Sequence, residues 1–223
     1  MNKLIVVLLI LVALVSCFWS CKEEYKDSPA NVQEVPNFLT HEECDLIIAL
    51  SKEGLYDSTV YTEKADIVNT DHRQSKQKWL YDGEHSLIDK ISKKVAQLTN
   101  TNIENQEPLQ VVMYGKGGFF NPHYDACDDN PDICKRLDGD AGPRKITVLI
   151  YLNDNFTGGE TAFPNLNYEA KPEKGKAIVF HGTDDNEQII RDSLHGGNPV
   201  KDGEKWICNK WIRPRQYKVP IQQ

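Results

Sequence analysis

Short runs with high β-propensity dominate the chain after Pro108, and this pattern constrains the fold more than any other feature. Gly, Pro, Asn and Asp residues, which favour turns, separate the runs. Many short strands of this kind indicate two sheets packed face to face in a jelly roll. The pattern predicts strands at Leu109–Tyr114, Gly118–Asp125, Ile146–Leu152, Glu160–Phe163, Ala177–Phe180, Arg191–His195 and Trp206–Arg213.

Two amphipathic helices are predicted before these strands. Thr40 to Glu43 has the form of a capping box, and an apolar stripe from Cys44 to Leu50 follows it. A second helix is predicted from about Ser86 to Leu98, with apolar residues at helical spacing. The predicted fold is therefore mainly β with flanking helices (α+β), namely a double-stranded β-helix (jelly roll, cupin-like) core buttressed by N-terminal helices.

The strongest chemical signal is the pair His123 and Asp125, two residues apart in a predicted strand. Alternate residues of a strand face the same side, so both side chains can bind one metal ion. A histidine from a distant strand would complete a facial triad, which is the ligand set of non-haem Fe(II) oxygenases. His181 and His195 compete for this place, because each ends a predicted strand.

Four segments resemble the catalytic domain of the prolyl 4-hydroxylases, within the Fe(II)/2-oxoglutarate dioxygenases. They are VVMYGKGGFFNPHYDACD, RKITVLIYLNDNFTGGETAFP, KPEKGKAIVF and SLHGGNPVKDGEKWICNKWIR, and the resemblance covers roughly Val35 to Arg213. HxD alone is weak evidence, but HxD with a distal His, a Lys ten residues later and GGET between them is specific. The offset to Lys205 favours His195 over His181 as the third ligand.

The resemblance implies a set of roles for individual residues. Fe(II) would be bound by His123, Asp125 and His195, and Lys205 would pair with the 5-carboxylate of the co-substrate 2-oxoglutarate. Tyr114 and Thr161 would hydrogen-bond to the same co-substrate. The residues expected near the peptide are Arg144, Trp211, Phe120 at a position where many relatives have Tyr, and Arg73 with Ser75 in a substrate-proximal loop.

The same resemblance implies hydroxylation of peptidyl proline, as in procollagen-proline 4-dioxygenases. O2 and 2-oxoglutarate would be consumed, succinate and CO2 released, and L-ascorbate would serve as reductant. The expected partner is a proline-rich or collagen-like peptide. Two alternatives stay open: the same mechanism acting on lysyl or other residues, and a non-catalytic exported metal-binding β-sandwich module. The complete His, Asp, His and Lys set argues against the second.

Composition agrees with one catalytic domain. The chain has 223 residues, of which 39% are hydrophobic and 26% charged, the balance of a globular domain. Its formal net charge of -7 argues against a nucleic-acid partner, since phosphate contacts require clustered Lys and Arg.

The N-terminus carries an apolar run from Leu4 to Val15, which predicts a signal anchor or signal peptide in residues 1–21. A linker at 22–33 and the catalytic domain at 34–223 follow. Three interpretations stay open: a signal anchor with interfacial Phe18 and Trp19, a cleaved signal peptide, and a bacterial lipoprotein, because LVSC ending at Cys17 resembles a lipobox. Each places the domain at a membrane or in the secretory pathway, facing the endoplasmic reticulum lumen or exported.

An acidic segment with two cysteines follows the metal motif. Cys127 and Cys134 flank part of it and predict a short-loop disulfide; the alternative is free thiols. The segment from Asp125 to Asp140 contains six aspartates. It is expected to be a solvated loop, or alternatively a rim that attracts peptides containing Lys or Arg.

Overall fold

The computed structural model describes residues 31–61, 66–68 and 70–219. The predicted signal segment at 1–21 and most of the linker lie outside these residues. No helix in the described ranges is both long and apolar enough to span a membrane.

The helices are α1 (His41–Lys52), α2 (Ser86–Thr99) and α3 (Pro131–Asp138). The strands are β1 (Val32–Val35), β2 (Tyr56–Asp57), β3 (Val60–Tyr61), β4 (Asp66–Ile67), β5 (Lys76–Leu80), β6 (Leu109–Tyr114), β7 (Phe120–His123), β8 (Ile146–Tyr151), β9 (Thr157–Gly158), β10 (Thr161–Phe163), β11 (Tyr168–Ala170), β12 (Ala177–His181), β13 (His195–Gly197), β14 (Val200–Asp202) and β15 (Lys205–Ile212).

Two antiparallel sheets form the predicted jelly roll. The major sheet has seven strands in the order β1-β12-β8-β15-β6-β5-β2, and the minor sheet has four in the order β11-β10-β13-β7. Apolar side chains of the two sheets pack together, as Tyr151 of β8 does with Phe163 of β10 in one buried cluster. The fold prediction is confirmed.

The two predicted helices cover the other face of the major sheet. The capping box of α1 is present, since Thr40 Oγ1 accepts from Glu43 N at 3.2 Å and Glu43 Oε2 accepts from Thr40 N at 2.9 Å. Helix α2 ends at Thr99, and its C-cap Asn100 adopts the left-handed conformation (φ 52°). Ile47 of α1 and Ile91 of α2 share a buried cluster with Val148 of β8, so the helices support the sheet that carries Lys205 and Tyr114.

Several sequence predictions differ from the structure at element boundaries. Strand β1 includes Val32 and Gln33, two residues of the predicted linker, because it pairs with β12. The predicted strand at Arg191–His195 is wrong: Arg191–Ser193 form a 3-10 turn, and the strand begins at His195. Two glycines, which resemble a turn signal, continue that strand. A Cβ at Gly196 would lie 2.9 Å from Phe120 O, so only glycine permits this close pairing with β7.

The acidic segment after the metal motif was expected to be a solvated loop, but part of it is helical. It contains α3, which Asn130 caps by accepting from Asp132 N at 2.9 Å. The predicted disulfide is confirmed: Cys127 and Cys134 are bonded and join α3 to the residues that follow Asp125.

We expect loss of this disulfide to lower the free energy of unfolding by about 2 kcal/mol, because the cross-link restricts the unfolded chain around a short loop. Urea unfolding of the double variant Cys127→Ser/Cys134→Ser measures this loss. In reductant, the free energy of unfolding of the wild type should approach that of the variant. Reductant should not change the free energy of unfolding of the variant. Equal unfolding midpoints for wild type and variant would refute the expectation.

Candidate active site

A groove of about 1190 Å³ opens between the inner faces of the two sheets. Its lining contains the residues that the sequence analysis assigned to metal, co-substrate or peptide, except Ser75, which lies outside the lining. These are His123, Asp125, His195, Lys205, Tyr114, Thr161, Phe120, Arg144, Trp211 and Arg73. Residues separated by more than a hundred positions in the chain therefore share one cavity.

The three predicted metal ligands lie together at the minor-sheet side of this groove. His195 of β13 pairs directly with His123 of β7, and their ring centroids are 4.5 Å apart. One ligand atom from each of His123, Asp125 and His195 lies within 4.8 Å of the others. Asp125 does not belong to a strand, because β7 ends at His123. The competitor His181 is exposed at the end of β12, outside the groove lining.

Hydrogen bonds orient the three ligands. His123 Nδ1 lies 2.9 Å from Asn121 O, and His195 Nδ1 lies 2.9 Å from Ser193 O. Because a carbonyl can only accept, each Nδ1 carries the proton and each Nε2 keeps its lone pair for a metal. Thr147 Oγ1 donates to Asp125 Oδ2 at 2.6 Å. The sequence analysis missed Thr147, since it sits in an otherwise apolar strand.

The electrostatics place His123 and Asp125 in the protonation states that bind a metal. Burial and the neighbouring His195 lower the pKa of His123 to about 3. Burial opposes ionisation of Asp125, but His195 and His123 outweigh it and lower its pKa to about 2. Two imidazoles and one carboxylate, all close together, match the donor set that non-haem Fe(II) requires.

Removal of the Thr147 hydroxyl should weaken metal binding about tenfold, since Asp125 would lose the partner that orients it. We expect this from Thr147→Val, measured by calorimetric titration with Mn(II). Thr183→Val is the matched control, because the Thr183 hydroxyl is buried without a hydrogen-bond partner. Equal Mn(II) affinities for the two variants would contradict the role of Thr147.

Lys205 is a buried cation facing the groove. Its residue surface is 2% exposed, and its Nζ lies 5.2 Å from the Tyr114 ring centroid and 5.7 Å from that of Tyr151. No carboxylate in the described part of the chain forms an ion pair with it, and burial lowers its pKa to about 7 against the attraction of Glu160. The Tyr151 hydroxyl donates to Thr161 Oγ1 at 2.6 Å beside it. An uncompensated buried ammonium of this kind is suited to bind an anion.

A buried carboxylate, that of Glu107, fixes Arg144, one of the predicted peptide-facing residues. Glu107 accepts from Arg144 Nε at 2.8 Å and Nη2 at 2.9 Å, and also from Arg213 Nε at 2.7 Å. Burial would raise the pKa of Glu107, but Arg144 and Arg213 lower it, so the carboxylate is ionised. The Arg144 guanidinium lies 3.5 Å from the Trp211 ring centroid. The sequence analysis missed Glu107, because a single Glu after a polar turn resembles a surface residue.

Phe120 connects the metal ligands to Arg73. Its ring stacks on His123 with centroids 3.6 Å apart, and the Arg73 guanidinium lies 4.6 Å from the Phe120 centroid. Arg73 Nε donates to Ser75 Oγ at 2.8 Å. The predicted substrate-proximal loop is therefore short, since β5 begins directly after Ser75.

Comparisons with known proteins agree with this geometry. Residues 109–213 match the 2OG-Fe(II) oxygenase superfamily. The chain is 36% identical over 193 residues to a putative prolyl 4-hydroxylase of Acanthamoeba polyphaga mimivirus, covering 86% of this chain and 78% of that protein. It is 32% identical to the prolyl 4-hydroxylase subunit alpha-1 of Gallus gallus, covering 87% of this chain but 37% of that subunit. Among solved structures, the viral collagen prolyl hydroxylase of Paramecium Bursaria Chlorella virus-1 with 2OG superposes with a TM-score of 0.67 at 34% identity, covering 82% of this chain and 96% of that one.

Proposed function

We propose that this chain, which belongs to the prolyl 4-hydroxylase family of the 2OG-Fe(II) oxygenase superfamily, hydroxylates proline in proline-rich or collagen-like peptides. It is an Fe(II)- and 2-oxoglutarate-dependent dioxygenase. The observation that carries the proposal is a single groove with a complete ligand triad, a buried cation without a counterion, and aromatic walls. A module that only bound metal would not need the cation.

The chain's own residues divide the work of binding. His123, Asp125 and His195 hold the metal, and Lys205 holds the distal carboxylate of 2-oxoglutarate, with Thr161 and Tyr114 beside it. When bound, Fe(II) and 2-oxoglutarate would supply the activation of O2, so that one oxygen atom enters a substrate C–H bond and the other enters succinate, with release of CO2. The apolar contacts of Phe163 and Phe180 with His195 exclude water from one side of the metal centre.

We place the peptide along the aromatic part of the groove lining. Phe120, Trp211 and Trp79 present ring surfaces there, and the Trp79 and Trp211 centroids are 5.9 Å apart. Aromatic grooves suit polyproline II chains, which are extended and lose little entropy on binding. Because Glu107 holds Arg144 through Nε and Nη2, the guanidinium keeps its place over Trp211, and its remaining N–H groups can donate to a peptide carbonyl.

One assay tests the proposal. The domain from residue 34 onward lacks two residues of β1, so the test uses the full chain, with Fe(II), ascorbate, 2-oxoglutarate and a (Pro-Ala)-rich peptide. We expect succinate and a peptide mass gain of one oxygen per hydroxylated proline. Succinate with oxidation of a lysine-containing peptide instead would favour the lysyl alternative. No succinate under any condition, with metal bound, would favour the binding module.

We also infer an oxidising compartment, reached through the N-terminal segment as an anchored or exported protein. The Cys127–Cys134 disulfide supports this, since such bonds persist in secretory and extracellular environments. L-ascorbate is the proposed reductant, and its omission should shorten the linear phase of succinate production. Fractionation of cells expressing the full chain, with and without residues 1–21, tests the location.

A further inference from the structure

Three side-chain amides form a row across the floor of the groove, and neither the metal centre nor the Lys205 site uses them. They belong to Gln77 of β5, Gln110 of β6 and Asn209 of β15, which are neighbouring strands. Asn209 Nδ2 donates to Gln110 Oε1 at 3.2 Å, and Gln110 Nε2 donates to Gln77 Oε1 at 2.8 Å. We call this row the amide ladder.

The strand register explains the row. Asn209 lies directly opposite Gln110, whereas Gln77 lies opposite Val112, one diagonal step from Gln110. All three residues line the groove, although Gln110 is 4% exposed and Gln77 is 5% exposed. Groups of these amides that the ladder leaves unused face the groove, where a bound peptide can satisfy them.

Both ends of the ladder have unused groups. Every amide points the same way, which leaves donors at one end and an acceptor at the other. Within the described ranges, no residue accepts from Gln77 Nε2 and none donates to Asn209 Oδ1. The ladder therefore offers N–H groups at β5 and a carbonyl oxygen at β15.

The ladder runs from the metal centre towards the outer part of the groove. Asn209 pairs with Leu149 of β8, and Thr147, two residues earlier on β8, donates to the metal ligand Asp125. At the other end, β5 adjoins the part of the groove lined by Tyr56 and Val60. Neighbouring strands are about 4.8 Å apart, so the ladder spans roughly 10 Å. A polyproline II chain rises about 3.1 Å per residue, so this length matches about three residues.

We propose that the amide ladder is a subsite that binds the backbone of about three peptide residues on one side of the reacting proline. Gln77 donates to a peptide carbonyl, and Asn209 accepts from a peptide N–H. Proline has no N–H, so the subsite selects a non-proline residue near the metal and favours alternating Pro-X chains over uninterrupted proline. This inference rests on the proposed prolyl hydroxylation.

Equilibrium binding of peptide to the full chain loaded with Mn(II) and 2-oxoglutarate tests the subsite without turnover. We expect Gln77→Leu to raise the Kd for (Pro-Ala)5 by about five- to tenfold, the value of one or two net hydrogen bonds. The Kd for 2-oxoglutarate should move less than twofold. Gln106→Leu is the matched control, since Gln106 is a buried amide that donates to Ser92 O outside the groove lining. A peptide Kd for Gln77→Leu within twofold of wild type overturns the proposal.

A second measurement leaves the protein unchanged. Replacement of the alanine N–H groups of the peptide by ester oxygens should weaken its binding to the wild type by a similar factor, because Asn209 Oδ1 loses its donor. Equal affinity for the amide and ester peptides overturns the subsite even if Gln77→Leu does not fold. If the wild type binds and hydroxylates no proline peptide at all, the proposed function fails, and the subsite fails with it.

Discussion

Substitution of His195 by alanine is expected to abolish succinate formation and to weaken Mn(II) binding at least about a hundredfold, more than the loss of an outer partner costs. His195 supplies one of three ligand atoms that lie within 4.8 Å of one another, and it is buried. Ser193 O and the rings of Phe163 and Phe180 hold the His195 imidazole in place. A water molecule in the variant would lack these contacts, so it would be a weaker ligand than the fixed imidazole.

The matched control is His181→Ala, since His181 was the competing candidate for the third ligand. It ends β12 and is exposed, so its removal should change Mn(II) affinity and turnover by less than twofold. Calorimetric titration gives the affinity, and a coupled succinate assay gives the turnover. Activity retained in His195→Ala and lost in His181→Ala would reverse the ligand assignment.

The fold was predictable because its signals are local. The capping box at Thr40, the apolar stripe of α2 and the runs of high β-propensity in β6, β8 and β15 each lie within one element. The short strands β2 to β4, β9, β11 and β14 were missed, since pairs such as Tyr56–Asp57 are too short to show alternation and depend on their partners in the sheet. The strand at His195–Gly197 was missed because its glycines serve close approach between strands and not a turn.

The candidate site was predictable where a motif carried it. His123 and Asp125 were found through their spacing, although Asp125 lies beyond the end of its strand and is oriented in the site by Thr147. No sequence motif of this kind contains Glu107 or Gln77. Their roles arise from contacts with residues far away in the chain, Glu107 with Arg144 and Gln77 with Gln110, which no local pattern encodes.

The second large effect is expected at Lys205. Lys205→Met should raise the Kd for 2-oxoglutarate about a hundredfold, because a buried carboxylate would lose its charged partner. The free energy of unfolding should not fall, since methionine removes a buried ammonium that lacks an ion pair in the described structure and keeps its apolar stem. Lys201→Met, at an exposed lysine of β14, is the control and should leave both quantities unchanged.

The pH dependence of co-substrate binding separates this role of Lys205 from a structural one. The pKa of Lys205 is about 7 in the free protein, so the ammonium that binds the carboxylate is present below that pH. Above pH 7, binding must take up a proton, and the Kd of the wild type for 2-oxoglutarate should rise by up to about tenfold per pH unit. Lys205→Met should show no such rise between pH 7 and 9. If the wild-type Kd is flat across this range while that of Lys205→Met equals it, another group holds the carboxylate.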